Sequence, residues 1–531
     1  MANHFPLFSA IRYFFLAEYY PHLFTQTEAA YGGDKLEERA AQARAKDDDH
    51  HSFHDEGYQD LWRYCNFLEN IVIGDEAATV SGEQELTKLG LKLTKVIVLI
   101  RHGARGPLRP MNSPSRPEDH KVCDLSSVKE ADYSVFGRLA KQLARNAKES
   151  LKALADRLRL PADFLDFPNL DAHSDCQLAR LTVLGLAQHI KLGYLLSGTY
   201  SNRLGLSLKS WKEAVAVAST EFSRTFQSAV ALLYGLTSHL TAKEKRSVQE
   251  EEEAKLLILG GDLNSLPRHF NLSFGAHFCG PLESSEFCGD GPFGNQCPVL
   301  EKLRDLVLDQ TYDLAAHHVK PNPPNQQKRK PGAFERATWD LLSIGACHRK
   351  QTPMAPDLIA HLAQRLNSVG RALVESEHYQ HSAWLKGYGF IQEVIARARE
   401  EDRSVPGSTA PKMILYSGHD ITIEPLKAIL RLPDYSIPPY ASRFIFEVFS
   451  SFPGEDSSRP PSRYLRLLYN GVDVTPYLVR LLPPSDETTP TSTSPNISLV
   501  EVERFERFVR ETFSKVTGTA DYGAACKGEH L

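Results

Sequence analysis

Val96-Ile97-Val98-Leu99-Ile100 is an unbroken run of five aliphatic residues, most of them β-branched. Such a run reads as a buried strand, and a strand buried on both faces points to an α/β sheet. Arg101-His102-Gly103-Ala104-Arg105-Gly106-Pro107 follows it directly. The glycines force a turn at the C-terminal edge of the strand, which is where open α/β sheets hold their ligands. One imidazole therefore stands between two guanidiniums at a sheet edge. Arg101 and Arg105 are always charged and planar, suited to grip phosphate oxygens two at a time and to offset charge on a transferring phosphoryl group. His102 can then attack phosphorus, because nearby cations disfavour its protonated form and keep the ring nucleophilic. The alternative is a surface turn with three unrelated basic residues.

Met413-Ile414-Leu415-Tyr416 repeats the pattern, running into Ser417-Gly418-His419-Asp420. Asp420 is the candidate general acid for protonating a leaving alcohol, provided that desolvation and a bound phosphate raise its pKa, and His419 is a candidate donor to a phosphate oxygen. A helix N-cap at Asp420 would explain the same residues. A third strand-like run, Val215-Ala216-Val217-Ala218, precedes Ser219 to Ala229 and brings Arg224 as a third guanidinium, if it is not simply a solvated arginine at a helix start.

The heptad at 101 to 107, Ser223-Arg224-Thr225-Phe226-Gln227-Ser228-Ala229 and His419-Asp420 resemble the histidine acid phosphatases, the second branch of the histidine phosphatases. Further matches are Leu181-Thr182, Gly185, Gln188, Gly193, Pro438-Pro439-Tyr440-Ala441-Ser442, Glu447 and Tyr469-Asn470-Gly471, spread over roughly residues 91 to 475. The resemblance implies a Rossmann-like doubly wound α/β sheet with an inserted, mostly helical cap. It implies His102 as the phosphohistidine-forming nucleophile, Asp420 as proton donor, and Arg101, Arg105, Arg224 and His419 as the phosphate clamp, with no metal or cofactor required. Ile421 stands where family members commonly have threonine, which leaves the acid in place. Cys176-Gln177-Leu178, Phe226 to Gly235 and the cysteines at 279, 288 and 297 lean toward the group that removes phosphate from 2-phosphoxylose in the glycosaminoglycan linkage region. Other substrates remain open within the resemblance, among them those of a general acid phosphatase or an inositol-polyphosphate phosphatase. So do a phosphomutase and, from another class, a catalytically silent phospho-ligand binding protein.

The chain has 531 residues, enough for a large core and an inserted cap. With 61 basic against 66 acidic residues its net charge is −5, which gives no reason to expect nucleic acid as a partner. Eight cysteines are too few for a disulfide scaffold, but Cys279, Cys288 and Cys297 are expected to form disulfides with some of Cys123, Cys176 and Cys347. Their spacing does not match paired zinc ligands. Asn271-Leu272-Ser273 and Asn496-Ile497-Ser498 permit glycosylation. Arg12, Glu18 and Pro21 interrupt the apolar residues of positions 1 to 24, so neither a signal peptide nor a membrane anchor is visible there. The resemblance nevertheless implies a secretory-pathway protein, with the Golgi as its site.

Three regions are expected. Residues 1–90 form a variable N-terminal region whose stretch from 28 to 56, with its Asp47-Asp48-Asp49-His50-His51 run, is a polar stalk or linker. Residues 91–480 form the catalytic domain, with the cap at about 236–410, including the solvated run Glu250 to Glu253 and a Pro/Lys-rich loop from Pro321 to Pro331. Residues 481–531 hold a Pro/Ser/Thr tether and a helix starting at a Ser498-x-x-Glu501 capping box, with Val502, Phe505, Val509 and Phe513 as its docking face. Amphipathic spacing predicts a helix or helix pair from Phe136 to Leu160 and another helix from Leu178 to Leu196. Phe444–Phe449 and Tyr464–Tyr469 are read as strands, with a turn at Asn470-Gly471.

Overall fold

The β1 run is buried on both sides, and its alternate residues enter two different cores. Val96, Val98 and Ile100 face one hydrophobic cluster, while Ile97 and Leu99 face the other. This follows from the two-residue period of a strand placed between two helical layers. In the computed structural model, residues 56–77, 83–108, 130–168, 178–246, 267, 269–277, 339–340, 343–344, 346–348, 356–400, 410–451, 462–483 and 498–527 are described. The stalk, the acidic run 250–253, the loop 321–331, most of the tether, Asn496 and the cysteines at 123, 176, 279, 288 and 297 lie outside them.

Among the described residues eight strands make one sheet: β1 (Leu91–Arg101), β2 (Val215–Ser219), β3 (His269–Asn271), β4 (Met413–Gly418), β5 (Arg443–Ser451), β6 (Arg463–Tyr469), β7 (Val472–Asp473) and β8 (Val500–Glu501). Their order is β3-β2-β4-β1-β5-β6-β7, with β8 also on β6. The pairs among β3, β2, β4 and β1 are parallel, whereas β5 to β8 pair antiparallel. The α/β sheet is therefore mixed. Its antiparallel half comes from the two returning strands predicted at 444–449 and 464–469, closed by the turn at Asn470 and Gly471, both at positive φ.

The helices that bear on the site or flank it include α1 (Glu56–Cys65), α2 (Glu130–Ser150), α3 (Val183–Leu204), α4 (Ser223–Arg246), α5 (Glu377–Arg399), α6 (Asp420–Ile429) and α7 (Val502–Thr517). A short helix at Lys152–Leu158 follows α2, so the 136–160 stretch is a helix pair. Within the stretch expected to hold the cap, His269–Asn271 joins the sheet, and α5 packs on α6 and α7. The exposed Asn271 engages Ser273 through its Oδ1. At the C-terminus, Val502, Phe505, Val509 and Phe513 are buried as the spacing predicted. The capping box is not formed. Val500 and Glu501 pair with β6, and α7 begins at Val502 with no side-chain cap. Sheet pairing there overrides the local capping signal.

Helix α3 is tied to the sheet by a buried ionic network. Glu447 of β5, fully buried, lies 3.1 Å from Arg466 of β6 and 3.8 Å from Arg203 of α3, and Tyr200 donates to it at 2.8 Å. Arg466 is also paired with Asp473 at 2.7 Å. Removing the carboxylate strands buried cations, so Glu447→Ala is expected to cost about 3–5 kcal/mol in urea unfolding. A loss below about 1 kcal/mol would assign the network no structural weight.

Candidate active site

Sheet order alone brings the three sequence clusters together. β4 lies between β2 and β1, with Ser219 opposite Ser417 and Arg101 opposite Gly418, so three parallel strands end level with one another. Backbone bonds lock the ends: His102 N donates to Gly418 O at 2.9 Å and Thr220 N to Ser417 O at 3.1 Å. Arg101, His102, Arg105, Arg224, His419 and Asp420 all emerge from this edge or from the helix starts after it.

The turn after β1 is held from beneath. Ala104 N donates to Gln188 Oε1 at 2.8 Å, and the same side chain donates from Nε2 to the carbonyls of Cys65 and Asn66 at 2.7 and 2.8 Å. Gly103 packs directly on Gly185 of α3: a Cβ on Gly103 would sit 2.5 Å from that backbone. Only glycine allows this approach.

His102 is buried, and its Nδ1 lies 2.8 Å from the Gly103 carbonyl. A carbonyl can only accept, so Nδ1 carries the hydrogen and Nε2 keeps the lone pair. Burial, and then the charges of Arg224, Arg101, His419 and Arg105, hold the imidazole well below the usual histidine value. The neutral ring, with its Nε2 lone pair available, is thereby favoured.

His419 is oriented the other way. Its Nδ1 lies 3.4 Å from Arg224 Nη2, which can only donate, and its Nε2 lies 3.0 Å from Thr220 Oγ1. The ring therefore gives its hydrogen to Thr220, whose hydroxyl is 2.9 Å from that of Thr225. Burial, and then Arg224, bring its pKa down to about 3. In this state the His419 hydrogen sits on Nε2 and its Nδ1 accepts from Arg224.

The three guanidiniums are buried to different degrees and braced differently. Arg101, wholly buried, lies under the Tyr440 ring at 4.4 Å, donates to Tyr64 Oη at 3.0 Å and to the Pro438 carbonyl, and stands 3.6 Å from Asp420. Arg105 pairs with Asp340 at 2.7 Å. Arg224 lies 4.5 Å above the half-exposed Phe222 ring, and burial first, then Arg105, lowers its pKa to about 10, still charged at neutral pH. In all three the Nε is buried without a hydrogen-bond partner. Buried donors left unpaired are costly, and three on converging cations suit an oxyanion.

Asp420 is not the helix N-cap. His419 holds that position, with reciprocal bonding to Thr422, and Asp420 is the first residue of α6, partly exposed at 25%. Its Oδ1 accepts from Ile421 N at 2.9 Å, while Oδ2 faces Arg101. Ile421, the departure noted in the sequence, is 60% exposed and leaves this arrangement untouched.

Sequence reasoning missed Tyr64, Thr220 and Asp340 as partners of the cluster. It also missed Cys65. Cys347, one of the three partners offered to the cysteines at 279, 288 and 297, is bonded instead to Cys65, across 282 residues. Cys526 is disulfide-bonded as well. Among the described residues no group of three or more His, Cys, Asp or Glu is arranged to hold a metal ion, and no helix is long and apolar enough to cross a membrane.

Comparison with known proteins bears on this geometry. A mouse protein named 2-phosphoxylose phosphatase 1 is 26% identical over 82% of this chain and 82% of its own length. Mouse testicular acid phosphatase is 26% identical over 51% of this chain and 59% of its own. Among solved structures, a multiple inositol polyphosphate phosphatase of Bifidobacterium longum in complex with phosphate aligns with a TM-score of 0.46 and 13% identity, over 85% of this chain and 98% of that one. The sequence model of the histidine phosphatase superfamily (branch 2) matches residues 92–322 and 377–470, the first block carrying Arg101, His102, Arg105 and Arg224 and the second His419 and Asp420. The chain belongs to branch 2 of the histidine phosphatase superfamily and is a phosphomonoesterase of the acid phosphatase kind.

Proposed function

We propose that this enzyme hydrolyses its ester in two steps through a phosphohistidine on His102, and that the ester is the 2-phosphate of xylose in the glycosaminoglycan linkage region. The observation that carries the reaction is a buried neutral imidazole with its Nε2 lone pair free, set among three guanidiniums whose Nε donors lack partners. In the first step Nε2 forms a bond to phosphorus, the ester P–O bond breaks, and the leaving oxygen takes the proton of Asp420. The Gly103 carbonyl holds the Nδ1–H and stabilises the positive ring that results. In the second step water attacks phosphorus, Asp420 takes the water's proton, and His102 leaves as the neutral imidazole. Arg101, Arg105 and Arg224 neutralise the equatorial oxygens throughout, the work that metal ions do in other phosphoryl-transfer enzymes. His419 joins the clamp when the incoming dianion stabilises a proton on its Nδ1.

The substrate rests on likeness: the relative named for 2-phosphoxylose matches about four-fifths of the chain, the testicular acid phosphatase about half. The buried Cys65–Cys347 disulfide supports folding in an oxidising compartment, as a secretory-pathway and Golgi location would provide. Phosphate release should be measured on 2-phosphoxylose linkage glycans, inositol hexakisphosphate and simple alkyl phosphates. The expected order places the xylose phosphate first by at least about tenfold in kcat/KM, a difference of about 1.4 kcal/mol in transition-state binding. Inositol hexakisphosphate in first place would overturn the substrate while leaving the reaction standing.

A further inference from the structure

We infer that Tyr64 and Asp340 are positioning residues for the arginine clamp, and that the Cys65–Cys347 disulfide keeps both in place, so that phosphate binding depends on that bond. The inference rests on the clamp proposed above. Tyr64 closes on Arg101 with its hydroxyl at 3.0 Å and its ring 5.1 Å from the guanidinium carbon. Asp340 holds Arg105 at 2.7 Å and accepts from Leu108 N at 3.1 Å, which fixes both the arginine and the turn it stands on. Neither residue is near the heptad in sequence. Tyr64 comes from the end of α1 and Asp340 from a segment more than two hundred residues later, and the cysteine next to Tyr64 is bonded to Cys347.

The two segments also meet edge to face, with the Trp339 and Tyr64 rings 5.4 Å apart. On the far side of the bond His348 lies 3.1 Å from Thr182 Oγ1, and Thr182 N donates to Ala104 O at 2.9 Å. Asp340 thus touches the phosphate turn directly, and His348 reaches it through Thr182. Two of the three guanidinium forks are thus braced by Tyr64 and Asp340, and the segments that carry these two residues share one covalent link. A dithiol reductant that reached this bond would supply two electrons and two protons, giving two thiols and the cyclic disulfide of the reductant. The segments would then be free to separate, and displacement of a clamping group by about 1 Å costs on the order of 10²-fold in rate.

The test is titration of inorganic phosphate into the full chain by calorimetry, with circular dichroism and thermal melting as controls for folding. Asp340→Asn, Tyr64→Phe and the pair Cys65→Ala with Cys347→Ala are each expected to weaken phosphate binding by about tenfold or more. Asp340→Glu should recover part of the loss. Asp340→Asn added to the cysteine pair should weaken binding less than the two losses multiplied. Tyr64→Phe keeps the ring and the fold, and so decides the matter if Asp340→Asn fails to fold. Phosphate affinity within twofold of wild type in folded Tyr64→Phe and in the folded cysteine-pair variant would overturn the inference. Because the readout is binding, it separates this outcome from a failure of the two-step reading, which would appear as missing turnover in a wild type that binds phosphate.

Discussion

His102→Ala is expected to abolish phosphate release from every ester tested, a fall on the order of 10⁵–10⁶ in kcat, the scale seen when an enzyme loses its nucleophile. The reason lies in how the ring is prepared. Its Nδ1–H is committed to the Gly103 carbonyl at 2.8 Å, leaving Nε2 as the one lone pair, and burial with the surrounding cations keeps it unprotonated. Phosphate should still bind to the variant, because Arg101, Arg105 and Arg224 are intact. A variant that retains turnover within about a hundredfold of wild type would place the nucleophile elsewhere.

Asp420→Asn is expected to slow hydrolysis of alkyl phosphates by about 10²–10⁴-fold while slowing aryl phosphates with good leaving groups far less. An alkoxide leaves slowly without a proton, whereas a nitrophenolate leaves readily. The pH dependence carries the same signature. The active form holds a proton on Asp420 and none on His102, so the wild-type rate falls as pH rises and Asp420 ionises. The acid limb is expected below the ordinary histidine range, because burial and then Arg224 lower the His102 pKa. Asp420→Asn should lose the alkaline limb and keep the acid one. Equal losses on alkyl and aryl esters, or a wild-type rate still rising through pH 8, would remove Asp420 from the role.

Much of the site was legible in the sequence because strands announce themselves. The runs 96–100, 215–218 and 413–416 each end in chemistry-bearing residues, and parallel pairing of three buried strands leaves those residues level at one edge. The supporting groups could not be read in this way. Tyr64 belongs to an amphipathic helix whose pattern is that of any surface helix, and its contact with Arg101 is made by the path of the chain between them. Asp340 meets Arg105 across 235 positions, with no local pattern to mark it. The partner of Cys347 was hidden for a related reason. The even spacing of 279, 288 and 297 drew attention from Cys65, whose partner is fixed by three-dimensional proximity. At the C-terminus a local capping signal at Ser498 lost to the unpaired edge of β6, which took Val500 and Glu501 as a strand. The charge state of His419 is likewise set by its burial and then by Arg224, which no motif reports.

The central claim is the covalent intermediate, and rapid quenching with a phosphorus-labelled ester tests it most directly. The expected result is a protein-bound phosphoryl group, labile in acid and stable in alkali, that forms before free phosphate accumulates and maps to His102. Two displacements would also give net retention of configuration at a chiral phosphorus. Full turnover with no labelled protein at any quench time, together with inversion at phosphorus, would contradict the account by showing that water attacks the ester directly.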